Sequence, residues 1–208
     1  MIFNLLLILF LKQYQIFKHI SNSFYLNMFR LELIIGPMFS GKSTELIRRI
    51  SRYNAIHKNT LLINHTFDTR TDNKVKTHDN KVMAAIKTKN LMDLVNTNPY
   101  LSSDIIGIDE GQFFNDLKEF ILYSEKTNKI IIVSGLDGDY QRMPIGQILE
   151  CIPLCDKVDK LHSLDMIDQD GSHGIFTKRI HTNTVDTQIL VGDANQYLCV
   201  NRKNYLKQ

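Results

Sequence analysis

Residues 36–43 read Gly-Pro-Met-Phe-Ser-Gly-Lys-Ser, a complete G-x-x-x-x-G-K-S pattern, and this octapeptide constrains the fold more than any other part of the chain. An apolar run, residues 31–35, precedes it, and a stretch of helical character follows from Thr44. Strand, turn and helix in that order turn successive backbone N–H groups toward one point, where a phosphate can be held. Gly36 and Gly41 permit the close approach because neither carries a Cβ. The helix aims its positive end at the anion, and the pattern places Lys42 for the β- and γ-phosphates and the Ser43 hydroxyl for Mg²⁺. Gly36, Pro37, Met38, Phe39, Ser40, Gly41, Lys42 and Ser43 are therefore expected to hold a nucleoside triphosphate. A chance match in a Gly/Ser turn would lack the strand before and the helix after.

Beyond the loop, Leu46, Ile47, Ile50 and Tyr53 predict a helix over residues 44–57 with one buried face, and Arg48, Arg49 and Arg52 are expected to face elsewhere. Short apolar runs recur at residues 61–64, 104–108 and 129–135, with helix-like segments at 90–96 and 115–127 between them. This alternation predicts a parallel sheet. The run Ile130-Ile131-Ile132-Val133 does not alternate with polar residues, as befits a strand covered on both faces. Residues 67–81 are polar and form a candidate lid, arm or contact between subunits. Past Cys151 the pattern changes to short strands and turns, predicting a small C-terminal lobe.

With 208 residues and 43% apolar content, the chain supports one ordinary core and a small appended module. A net charge of +3, spread along the chain, describes no nucleic-acid stripe, so no nucleic-acid partner is expected. Cys151, Cys155 and Cys199 are an odd set without a disulfide framework, which points to a reducing, cytoplasmic setting. Residues 1–28 fit neither a secretory signal nor a membrane span, which needs about 20 apolar residues. They are expected to be an extension outside the catalytic fold, or to follow a start codon assigned too early; the other reading is a membrane-proximal anchor. The expected division is 1–28, extension; 29–150, nucleotide-binding α/β domain; 151–208, substrate-clasping lobe.

The run Ile105-Ile106-Gly107-Ile108-Asp109-Glu110 puts two carboxylates where a buried parallel strand should end, the edge at which α/β sheets bind ligands. Asp109 suits Mg²⁺, reached through water, while Glu110 suits accepting a proton from an attacking hydroxyl or orienting a water. Asp-Glu alone does not separate hydrolysis from transfer.

Taken in order, the segments GPMFSGKSTEL from Gly36, Asp68-Thr-Arg70, Thr77-His-Asp79, Ile108-Asp-Glu-Gly-Gln-Phe-Phe114, Leu136-Asp-Gly138, Gln141-Arg142 and Thr177-Lys-Arg179 resemble the cytosolic, type II thymidine kinase family over roughly residues 31–205. The resemblance implies a RecA-like P-loop sheet flanked by helices, with a zinc-ribbon-like lasso as the small C-terminal β-rich lobe. It implies ATP-dependent phosphorylation of deoxythymidine, with Mg²⁺, and Glu110 as the base. Asp68, Arg70, Asp109 and Gln112 join the loop on the ATP side. Met38, Phe113, Leu136, Tyr140 and Tyr197 match the thymine pocket, and Gln188, Ile189, Leu190, Val191 and Gly192 match the segment whose backbone reads the base edge. A homotetramer and feedback inhibition by dTTP are implied as well.

The chain also departs from that family. A Cys₄ zinc site closes the family's lobe, and here Asp165, Asp168, Cys199 and Arg202 stand at the four positions. Guanidinium cannot ligate zinc and carboxylates are harder donors, so no structural zinc is expected. An ion pair from Asp165 or Asp168 to Arg202 is the expected substitute, and a rearranged site using Cys151, Cys155 or His162 the alternative. Ile145 stands where the family often has an aromatic residue, implying a wider base slot. Two other functions compete: a P-loop ATPase or GTPase switch, against which no Asn-Lys-x-Asp motif occurs, and a non-catalytic nucleotide-binding relative, against which Lys42, Ser43, Asp109 and Glu110 are all present.

Overall fold

The computed structural model describes residues 29–68, 74–76, 82–180 and 196–207. The expectations for residues 1–28, for Arg70 and for residues 188–192 lie outside the described residues. Sixteen elements matter here. They are β1 (Arg30–Gly36), α1 (Lys42–Asn54), β2 (Thr60–His65), β3 (Lys74–Lys76), β4 (Val82–Ala84), β5 (Ile86–Thr88), α2 (Asn98–Ser102), β6 (Ile105–Ile108), α3 (Leu117–Ser124), β7 (Ile130–Leu136), β8 (Lys157–Lys160), β9 (Ser163–Leu164), β10 (His173–Gly174), β11 (Phe176–Arg179), β12 (Tyr197–Val200) and α4 (Arg202–Leu206).

Six strands form one sheet in the order β5-β2-β6-β7-β1-β8, and every neighbouring pair is parallel. The expected parallel sheet is therefore present, and β8 carries it past residue 150. Alternate residues of the central strands enter two apolar clusters. Leu31, Leu33, Ile106, Ile131 and Val133 face Leu117, Phe120 and Ile121 of α3. Ile34, Ile105 and Ile132 face Leu46, Ile47 and Ile50 of α1. That double coverage explains why the strands read as unbroken apolar runs. Within the polar connection residues 74–76 form β3, which pairs antiparallel with β4 just beyond it and whose Val75 is buried in the α1 cluster.

One expectation for α1 is corrected. Arg48 lies outside, but Arg49 is buried, donating to Glu45 (2.8 Å), to Glu32 of β1 (2.7 Å) and to Asp159 of β8 (2.5 Å). A buried guanidinium needs such partners, and three carboxylates supply them. Outside the sheet, β9 pairs with β10 and β11 with β12, both antiparallel, giving the β-rich lobe. Among the described residues no helix is long and apolar enough to cross a membrane.

Candidate active site

The C-terminal ends of β1, β2, β6 and β7 lie side by side, and the residues following them converge. After β1 the chain turns through Gly36 (φ 150°), Phe39 (φ 62°) and Gly41 (φ 79°) before entering α1. A side chain at position 36 would place Cβ 2.5 Å from the Leu161 carbonyl, so only glycine fits there. Ser40 Oγ and Lys42 Nζ both donate to the Pro37 carbonyl, at 2.9 and 2.6 Å. Burial holds the Lys42 amine below its ordinary pKa, against the attraction of Glu110, Asp109 and Asp137. A cation kept among carboxylates beside a helix start is suited to receiving phosphate oxygens.

Asp109 follows β6 directly and is buried. Its Oδ1 accepts from Ser43 Oγ at 3.0 Å and also from Ser134 Oγ of β7. A hydroxyl and a carboxylate in contact are two hard oxygen donors, a pair that would suit Mg²⁺. Glu110 is next, in the left-handed region (φ 54°, ψ 41°), opening a 3₁₀ turn over Gly111–Phe113. A non-glycine residue held there stores about 1–3 kcal/mol of strain, which the surrounding structure must hold in place. Gln112, buried beneath, donates from Nε2 to Glu110 Oε2 at 2.7 Å and accepts the Leu136 N–H on Oε1 at 3.0 Å.

The residues expected to line the acceptor pocket come from both halves of the chain. Met38 N–H donates to Thr177 Oγ1 of β11 at 3.1 Å, stitching the phosphate loop to the lobe. Arg179 stacks 4.0 Å from the Tyr140 ring centre and 5.6 Å from that of Tyr197, and donates to Tyr197 Oη at 3.1 Å. One guanidinium thus joins two of the expected aromatics. Phe113 packs with His65 and Phe67, each 5.9 Å away between ring centres. Asp68, buried after β2, accepts from Asn64 Nδ2 at 2.8 Å. Ile145 is buried. Reasoning from the sequence assigned no role to Ser134, Thr177 or Arg179. Ser134 left one signal, a lone hydroxyl in an apolar strand two residues before its end, and the other two sit in the Thr177-Lys-Arg179 segment.

In the lobe, the expected ion pair to Arg202 is corrected. Arg202 lies over the Phe176 ring, 4.9 Å from its centre, and Asp168 pairs with Lys203 at 3.5 Å. Asp165 is buried and serves as a hydrogen-bond hub. Its oxygens accept from the backbone N–H groups of Ile167 (3.1 Å), Asp168 (2.6 Å) and Asn201 (2.6 Å) and from Asn204 Nδ2 (2.9 Å). Burial pushes the Cys151 and Cys199 thiols up to about 11. Among the described residues no group of three or more His, Cys, Asp or Glu could hold a metal ion.

A family model described as thymidine kinase matches residues 29–205. The thymidine kinase of raccoon poxvirus is 41% identical over 179 residues, 86% of this chain and 97% of that protein. That of sheeppox virus (strain KS-1) is 43% identical over 176 residues, 84% of this chain and 96% of the viral protein. The human cytosolic thymidine kinase is 38% identical over 179 residues, covering 86% of this chain and 74% of its own length.

Proposed function

The chain belongs to the thymidine kinase family, and from that premise we propose that it transfers the γ-phosphoryl group of ATP to the 5′-hydroxyl of deoxythymidine, releasing dTMP and ADP. The observation that carries the reading is the convergence of Lys42, Ser43 and Asp109 with Glu110 at one sheet edge, where Ser43 donates to Asp109 and the Lys42 amine feels the charges of both Glu110 and Asp109. Glu110 takes the proton from the 5′-oxygen as that oxygen forms its bond to the γ-phosphorus. The bond between that phosphorus and the β–γ bridging oxygen breaks, and ADP leaves with the electron pair. Lys42 neutralises phosphate charge, and backbone N–H groups of the loop after Met38 hold the triphosphate in line. Ser43 and Asp109 would hold Mg²⁺, which when bound neutralises charge on the β- and γ-phosphates. Met38, Leu136, Tyr140 and Tyr197 orient the nucleoside, and Arg179 keeps the two tyrosine rings in register.

Assembly as a homotetramer, inhibition by dTTP and a cytoplasmic setting belong to the same reading, supported by the family likeness and, for the setting, by the free thiols. Incubation with ATP, Mg²⁺ and each nucleoside in turn, following monophosphate and ADP together, tests the activity. We expect dTMP and ADP in equal amounts with deoxythymidine, and slower transfer to deoxyuridine because a methyl group discriminates only modestly. ADP release without any nucleoside would identify an ATPase instead, and no product at all a non-catalytic relative.

A further inference from the structure

We propose that Gln112 is the positioning residue for Glu110: its carboxamide holds the carboxylate that receives the proton and ties it to the end of β7. The inference rests on Glu110 being the base. Its first support is the polarity of the contacts. The amide nitrogen faces a carboxylate oxygen at 2.7 Å and the amide oxygen faces the Leu136 N–H at 3.0 Å. A carboxylate only accepts and a backbone N–H only donates, so the orientation of this amide is dictated by its two partners.

A second support is the space around it. Gln112 is 2% exposed. A Cβ on Gly135 would sit 2.5 Å from its Oε1, and a Cβ on Gly146 (φ 56°) only 2.0 Å from its backbone oxygen. Both neighbours are glycine, and the fold leaves that room for the turn and its amide. A third support is the backbone of Glu110, held in the left-handed region at the N-terminal end of the 3₁₀ turn. From that start a glutamate still has three torsions, and ordering such a side chain costs about 1–2 kcal/mol. Fixing it in advance from a buried amide keeps the carboxylate where a proton transfer over about 2.6–3.2 Å can occur. Because Leu136 is also the expected wall of the acceptor pocket, the same amide sets the base and that wall in one register.

Gln112→Glu keeps an acceptor for the Leu136 N–H and sets a second carboxyl against Glu110, whose repulsion or shared proton unseats the base, while Gln112→Met loses both contacts without adding charge. Each is made in the full chain, alone and together with Glu110→Gln, and kcat, both KM values and the melting temperature are measured. Losing a hydrogen bond to a charged group corresponds to a fall in kcat of about 10- to 100-fold. We expect that fall in Gln112→Glu, with KM for ATP and for deoxythymidine unchanged, and no further fall when it is added to Glu110→Gln. The inference is overturned by Gln112→Glu with the parent kcat, by an equal loss in the Glu110→Gln background, or by a raised KM for ATP at constant kcat, which would make Gln112 a nucleotide contact. If Gln112→Met fails to fold, Gln112→Glu decides. Glu110→Gln with full transfer would remove the base reading itself; Glu110→Gln inactive with Gln112→Glu unimpaired removes this inference alone.

Discussion

Asp109 is gripped by two hydroxyls, Ser43 from the loop and Ser134 from β7, and the second is the informative one. Ser43 is a member of the P-loop motif, so its neighbourhood to a strand-end aspartate was legible in the sequence. Ser134 lies 25 residues from its partner, and only the register of β6 against β7 brings them together. The same holds for Arg179, which meets Tyr197 through the β11–β12 pairing. Local order along the chain identified the loop and the two carboxylates; the residues that orient them depend on sheet register, which the sequence does not state. With Ser134→Ala, Asp109 keeps one hydroxyl donor and loses the buried one. A hydrogen bond to a charged group contributes about 1.5–3 kcal/mol, so kcat should fall by roughly tenfold or more and the Mg²⁺ concentration for half-maximal rate should rise. Rate against Mg²⁺ concentration checks this, and an unchanged curve contradicts it.

At the level of elements, α1 was predicted from its apolar face, and the prediction missed what Arg49 does. Arg48 and Arg49 look alike in the sequence, yet Arg49 reaches carboxylates 17 and 110 residues away on β1 and β8. The reach matters because β8 is an edge strand, Lys-Val-Asp-Lys, largely exposed and carrying no apolar run to announce it. An ion-pair network therefore helps fasten to the sheet a strand that little apolar burial holds. Removing one partner of a fully buried pair costs about 3–5 kcal/mol, and the carboxylates here are partly exposed, so Arg49→Met should lose about 2–3 kcal/mol in urea unfolding at neutral pH. A change within error would show that the network contributes nothing. The acid limb carries a second expectation. Glu45 is held at about 2 instead of 4.5, first by its hydrogen bond from Arg48, against burial, and then by Arg49. A carboxyl depressed in the folded state contributes stability that is complete above about 4.5 and is lost as pH falls from there through about 2. Unfolding followed across that window should therefore show a shallower loss in Arg49→Met than in the parent.

For the whole molecule, the lobe and the sheet meet over the phosphate loop: Thr177 receives the Met38 N–H and the Tyr205 hydroxyl donates to the Tyr140 carbonyl at 2.9 Å. We propose that Asp165 does without metal what a zinc site would do, since four donors converge on its buried carboxylate. That an aspartate replaces a cysteine was legible; that it binds backbone N–H groups and not Arg202 was not, because the tight turn over residues 165–168 decides it. Asp165→Ala should lower the melting temperature and raise KM for deoxythymidine more than KM for ATP. Metal analysis of the purified parent should find less than stoichiometric zinc, and one tightly bound zinc per chain would contradict the assignment. The central claim concerns Glu110, and the measurement that tests it most directly compares ATP binding with phosphoryl transfer in Glu110→Gln under saturating deoxythymidine. General-base catalysis contributes about 10²–10⁴-fold. We expect the variant to bind ATP as the parent does and to form dTMP slower by that order; transfer at the parental rate would contradict the account.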